Sequence, residues 1–144
     1  MPEIDPAALT PLILYAMWAV VLALLLLFAR VGAMAGGKRA INSFKPMGDT
    51  EQLDAFSRAH LNSLENLPIF AVVYIAALWT DAAAPIMALG WTALGARIVQ
   101  SLIHISSRSP NAVRLRATMQ GVQAVCFIWL GVSALIWANG LAFT

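Results

Sequence analysis

The sequence predicts an all-α fold, an integral membrane four-helix bundle. Composition and patterning predict it together. Of the 144 residues, 60% are hydrophobic and 11% are charged, whereas a soluble domain carries about 25% charged residues. Mean hydropathy is +0.77. Long apolar runs alternate with short connections that hold most of the cations. Each spanning helix needs about 20 residues, so four of them use residues 1–144 as a single transmembrane domain without a separate soluble one.

Residues 1–6 contain Glu3 and Asp5 but neither Lys nor Arg, so the positive n-region of a secretory signal is missing. The first apolar run is therefore expected to stay attached. Residues 7–29 carry no charge and end in a leucine-rich run, which predicts a first helix over about residues 7–30 with Arg30 at its inner end. Residues 31–48 hold Gly32, Gly36, Gly37, Pro46 and Gly48 together with Lys38, Arg39 and Lys45, a breaker-rich basic loop.

Asp49 or Thr50 can cap a second helix over residues 50–79, with Gln52 placed for a weak capping box after Asp49. At about 1.5 Å per residue that helix exceeds the hydrocarbon thickness, so its first turns should stand in the interface, with Arg58 near the boundary and Glu65 inside it. Residues 81–85 form a short turn, and Pro85 starts a third helix over 85–105 that Arg97 interrupts. Residues 106–111, with Arg108 and Pro110, form the second basic loop. A fourth helix over 114–139 begins near Arg114 and Arg116 and can be capped by Gly140.

Five cations (Arg30, Lys38, Arg39, Lys45, Arg58) lie between helices one and two, and three (Arg108, Arg114, Arg116) between helices three and four. The remaining turn and both termini have none, so the positive-inside rule puts both termini on the non-cytosolic side. Short loops and the missing signal suit a bacterial inner membrane. The cations form two loop clusters without interleaved aromatics, which argues for lipid headgroups as neighbours and against nucleic acid. Cys126 is the only cysteine, so no intramolecular disulfide or cysteine metal cluster can form. Two histidines and one intramembrane carboxylate make no recognisable metal-ligand set. No phosphate loop, elbow serine or nucleophilic triad is visible. Tyr15, Tyr74 and the five tryptophans read as interface anchors or packing residues.

Three polar stripes stand out. Arg58, Asn62 and Glu65 on the second helix, Arg97, Ser101 and His104 on the third, and Arg116, Gln120 and Gln123 on the fourth each follow i, i+4, i+7 spacing. The predicted topology puts all three in the cytosolic half of the bilayer. A charge near the bilayer centre costs about 2.5 to 3.5 kcal/mol on insertion scales, so Arg97 and Glu65 should face protein or a watery cavity. They are natural partners, and a structural ion pair between helices two and three is one reading. The other rests on the surplus of cations. Arg58, Arg97 and Arg116 oppose one acid, which suggests a pocket for an anionic ligand with several carboxylates, because guanidinium forks suit them. His104 fits either a ligand contact or an interfacial position. His60 lies about 200° around the helix from Arg58, which favours a structural role.

Arg58-Ala59-His60-x-Asn62-x-x-Glu65, followed by Pro68, resembles the second-helix signature of the MAPEG family, the membrane-associated proteins of eicosanoid and glutathione metabolism. The resemblance extends along the whole chain in length, four-helix layout and charge placement. It implies a homotrimer with glutathione bound between adjacent subunits, near membrane lipids and a hydrophobic or lipid substrate. It further implies that Arg58, Asn62 and Glu65 hold the peptide, that Arg97 contacts glutathione, and that Arg116 stands beside the thiol as the catalytic residue. Arg114 takes that role if the register is shifted by two. Arg30, Lys38 or Arg39 could add a further contact. Where many members carry tyrosine on the third helix this chain has His104, and at the matching fourth-helix position it has Gln120; both can still hydrogen-bond the ligand. The implied activity is a glutathione-dependent transferase or peroxidase acting on hydrophobic electrophiles or lipid hydroperoxides. The alternative is a non-catalytic lipid- or ligand-binding membrane protein of the same fold.

Overall fold

A computed structural model of the chain describes residues 5–37, 40–45, 47–80 and 83–140. It contains four helices, α1 (Thr10–Ala35), α2 (Glu51–Ala77), α3 (Ala83–Ser106) and α4 (Pro110–Ala138), with short 3-10 turns at Pro6–Leu9 and Ile41–Ser43. No strand occurs among the described residues. Both α2 and α3 touch all the other helices, while α1 and α4 meet only weakly. Arg97, Gln100 and Ser101 of α3 are thereby buried in the middle of the bundle.

Helix ends follow local chemistry, and several depart from the sequence expectation. The turn ahead of α1 is opened by the Asp5 carboxylate, which accepts from the Ala7 N–H at 2.9 Å. Beyond Arg30, where an end was expected, α1 runs on to Ala35. Gly32 alone costs a helix only about 1 kcal/mol, and the chain turns out where Gly37 takes a φ of 65°. Of the two caps considered for α2, Thr50 serves: its hydroxyl accepts from the Leu53 N–H at 3.2 Å. Pro68 lies inside α2 without breaking it. In α3 the helix already starts at Ala83, so Pro85 occupies its first turn, where a missing N–H is harmless. The start of α4 is Pro110, ahead of the expected 114, because the Ser109 hydroxyl accepts from the Ala112 N–H at 3.2 Å and proline suits the first helical position. Only residues 107–109 separate α3 from α4. Arg114 and Arg116 consequently belong to α4, not to a loop.

The core is aromatic. Phe70 of α2 packs against Tyr15 of α1, Tyr74 of its own helix and Phe127 of α4, with ring centroids 5.0, 5.1 and 5.4 Å apart. Tyr74 is fully buried and its hydroxyl donates to the Ala8 carbonyl at 2.8 Å. This ring needs Gly90 of α3 beside it, since a Cβ there would lie 2.5 Å from Tyr74 Cε2.

Among the described residues, three helices are long and apolar enough to cross a membrane: α1 with its leading turn (Pro6–Ala35), α3 from Pro85 (Pro85–Ser106) and α4 (Pro110–Ala138). Large apolar side chains such as Phe28, Val72, Ile128 and Trp129 are 60–70% exposed, which lipid tolerates and water does not. The protein is an integral membrane helical bundle. The fourth helix, α2, is not among them; His60, Asn62, Ser63, Glu65 and Asn66 lie in its more apolar part.

A candidate polar site between α2, α3 and α4

Arg97 is the largest side chain the bundle buries, 1% exposed in the middle of an apolar helix. Its Nε donates to the Tyr15 hydroxyl at 2.7 Å, and its guanidinium carbon lies 5.8 Å from the Tyr15 ring centroid. Nη2 is buried with no partner. This overturns the idea of a Glu65–Arg97 ion pair. Tyr15 of α1 takes the guanidinium from one side, while Glu65 is exposed on the surface of the single chain. Glu65 still acts electrostatically on Arg97.

From Tyr15 a hydrogen-bonded chain crosses all four helices. The Tyr15 hydroxyl donates to Gln123 Oε1 at 3.3 Å, and Gln123 Nε2 donates to Gln100 Oε1 at 3.0 Å. Gln100 Nε2 donates to Gln120 Oε1 at 3.1 Å and to the Arg116 carbonyl at 3.3 Å. Gln120 Nε2 then donates to Asn66 Oδ1 at 3.2 Å, and Asn66 Nδ2 to the Asn62 carbonyl at 2.8 Å. Buried amides are costly unless paired, and here they satisfy one another. Tyr15 is thus a buried hub, not an interface anchor. Both ends of the Gln120 amide are engaged by neighbours, which leaves its second N–H and one lone pair of Oε1 for any ligand.

At the end of α3, half-buried His104 meets Arg116: Nη1 lies 3.1 Å from His104 Nδ1. A guanidinium only donates, so Nδ1 accepts and the ring proton is on Nε2. The charges of Arg116, Arg58 and Arg97 all act on His104. The α3 and α4 stripes thus meet at His104 and Arg116, with the charges of Arg58 and Arg97 also acting on His104 and that of Glu65 on Arg97. Arg58 is exposed and Asn62 half-buried on the α2 side. Arg114 is exposed and does not take part in the Arg116–His104 contact.

Of the first-loop cations, Lys38 and Arg39 lie outside the described residues. Arg30 is turned elsewhere: Nη2 donates to the Lys45 carbonyl at 3.1 Å, and its guanidinium carbon stands 5.7 Å from the Phe44 ring centroid. It lines a separate cavity of about 260 Å³ with Lys45, Ser57 and His60. His60 Nδ1–H donates to the Ala19 carbonyl at 3.2 Å, tying α2 to α1 on the face opposite Arg58.

Gln100 and Asn66 escaped the sequence reading, and Tyr15 entered it only as an interface anchor or packing residue. Asn66 was findable at i+4 from Asn62 and Gln100 at i+3 from Arg97, both on or beside a stripe already recognised. Tyr15 carried no such signal, because α1 has no other polar residue at its depth to mark a face.

No curated protein matches this sequence. The MAPEG family model matches residues 8–136, nearly the entire chain, over the same stretch that forms the four helices and their polar junction. The chain belongs to the MAPEG family, a family of membrane helical bundles associated with glutathione and eicosanoid metabolism.

Proposed function

We propose that the protein is a membrane-bound, glutathione-dependent transferase or peroxidase acting on hydrophobic electrophiles or lipid hydroperoxides. One observation carries the reading: Arg116 is hydrogen-bonded to His104, on which Arg58 and Arg97 also act, while Glu65 acts on Arg97. Such a cluster is short of negative charge, and glutathione brings two carboxylates with an ammonium for Glu65. Arg58, Asn62 and Glu65 hold the peptide from α2, with Arg97 and Gln120 contributing from α3 and α4. Arg116 stands beside the sulfur. A guanidinium there favours the thiolate over the thiol, whose ordinary pKa is about 8.5, and so raises the nucleophilic fraction at neutral pH. The thiolate then forms a bond to an electrophilic carbon as the leaving group departs with its electron pair. With a hydroperoxide it takes the terminal hydroxyl oxygen while the O–O bond breaks and the alkoxide leaves, taking up a proton from water to become the alcohol; a second glutathione then converts the sulfenic acid to the disulfide and water.

The reading includes a homotrimer in which a neighbouring copy covers α2, with both basic loops on the cytosolic side of a bacterial inner membrane. Its support is the exposure of Arg58 and Glu65 on the single chain. Glu65 is 14 positions beyond the start of α2 at Glu51, about 21 Å along the axis, and a carboxylate facing hydrocarbon costs about 2.5 to 3.5 kcal/mol.

The purified protein should turn over a chlorodinitrobenzene electrophile with glutathione. Arg116→Ala should lower kcat about 100-fold, the typical loss when one charge-stabilising donor is removed, with the assembly unchanged by size exclusion. Turnover unaltered in that variant sinks the mechanism. Glutathione binding without any turnover would leave the non-catalytic reading of the same fold.

A further inference from the structure

The family resemblance suggests His104 as a ligand contact, yet its Nδ1 already faces a different group. Arg116 Nη1 lies 3.1 Å away, and the imidazole can only be the acceptor there. Both residues sit on rigid supports. His104 is in the last turn of α3, and Arg116 is in the second turn of α4, whose start is capped by Ser109 and Pro110. The connection between them is short and held by the Ser109 hydroxyl. An arginine side chain has many rotamers of similar energy, so an unheld guanidinium would spend much of its time away from any one position. Every other charge acting on the imidazole, from Arg58 of α2, Arg97 of α3 and Arg116 of α4, is positive. Among these, Arg116 is the one hydrogen-bonded to it.

We propose that His104 is a positioning residue: it orients Arg116 toward the glutathione sulfur instead of gripping the peptide itself. This rests on the glutathione reading above. It assigns to α3 a role in kcat, separate from the binding role of α2. A ligand contact at His104 would act chiefly on KM, whereas an acceptor for Arg116 acts on the formation and attack of the thiolate.

The test compares His104→Leu, which removes the acceptor, with His104→Asn, whose Oδ1 can replace Nδ1. Each is measured in the wild-type and Arg116→Ala backgrounds, by turnover of the chlorodinitrobenzene electrophile and by the ultraviolet absorbance of bound glutathione thiolate. His104→Leu should lower kcat about tenfold, the scale of one hydrogen bond to a charged group, and shift the glutathione KM by no more than about twofold. His104→Asn should recover most of the kcat and of the thiolate signal. Added to Arg116→Ala, His104→Leu should change nothing further, because the group it positions is gone. Equal loss in the Asn and Leu variants, a change confined to KM, or fully additive losses with Arg116→Ala would each overturn the proposal while leaving glutathione chemistry in place. If wild type shows no calorimetric glutathione binding, the functional reading fails and the proposal falls with it. Should His104→Leu not fold, His104→Ala removes the same acceptor, and the comparison with His104→Asn stands.

Discussion

Tyr15 shows how one hydroxyl can organise a membrane bundle. It accepts from Arg97 Nε and donates to Gln123 Oε1, so α1 is tied to both α3 and α4 through a single oxygen. Arg97 is 1% and Gln123 0% exposed, so neither partner can turn to water if that oxygen is lost. Tyr15→Phe should therefore destabilise the fold by about 1–3 kcal/mol, the cost of stranding buried polar groups. A lowered midpoint of thermal unfolding in detergent checks it, and an unchanged midpoint contradicts the hub role. The same reasoning explains why Arg97 stays in the membrane without a carboxylate partner. Its charge is solvated by a phenol oxygen, the face of the Tyr15 ring and the field of Glu65.

Among the helices, the approach of α2 to α3 is set by one missing side chain. Gly90→Ala would drive a methyl group to 2.5 Å from the Tyr74 ring, and that ring cannot yield without breaking its bond to Ala8 at 2.8 Å. A loss of about 1–3 kcal/mol is expected from such overpacking, read as a thermal shift that adding Tyr74→Leu should partly restore. Much of this level was legible in the residues. The stripes on α2, α3 and α4 could be read because polar side chains at i, i+4, i+7 are conspicuous against apolar helices; the structure joins the α3 and α4 stripes through His104 and Arg116, and α2 reaches Gln120 through Asn66, beside its stripe. The ends of α1 and α4 were misread for local reasons: Gly32 is too weak a breaker to stop a helix, and Ser109-Pro110 is a stronger start signal than the arginines that follow. The pairing of Arg97 was not legible at all, since the sequence offers Glu65 as the obvious counter-charge and gives no hint that a tyrosine 82 residues away reaches it first.

At the scale of the whole molecule, the single chain is incomplete as a membrane object. Three of its helices meet lipid well, but α2 presents Arg58 and Glu65 outward. Covering that face with further copies removes the penalty and closes the cationic junction from the side that the single chain leaves open. Native mass spectrometry from mild detergent should accordingly give three copies per particle, and a monomer that retains glutathione turnover would contradict the assembly. The central claim concerns what fills the junction between α2, α3 and α4, and calorimetric titration of glutathione into the purified wild-type protein tests it most directly. Saturable binding at or below millimolar glutathione, weakened by Glu65→Gln, is the predicted result; the absence of any saturable heat at millimolar concentration would contradict it.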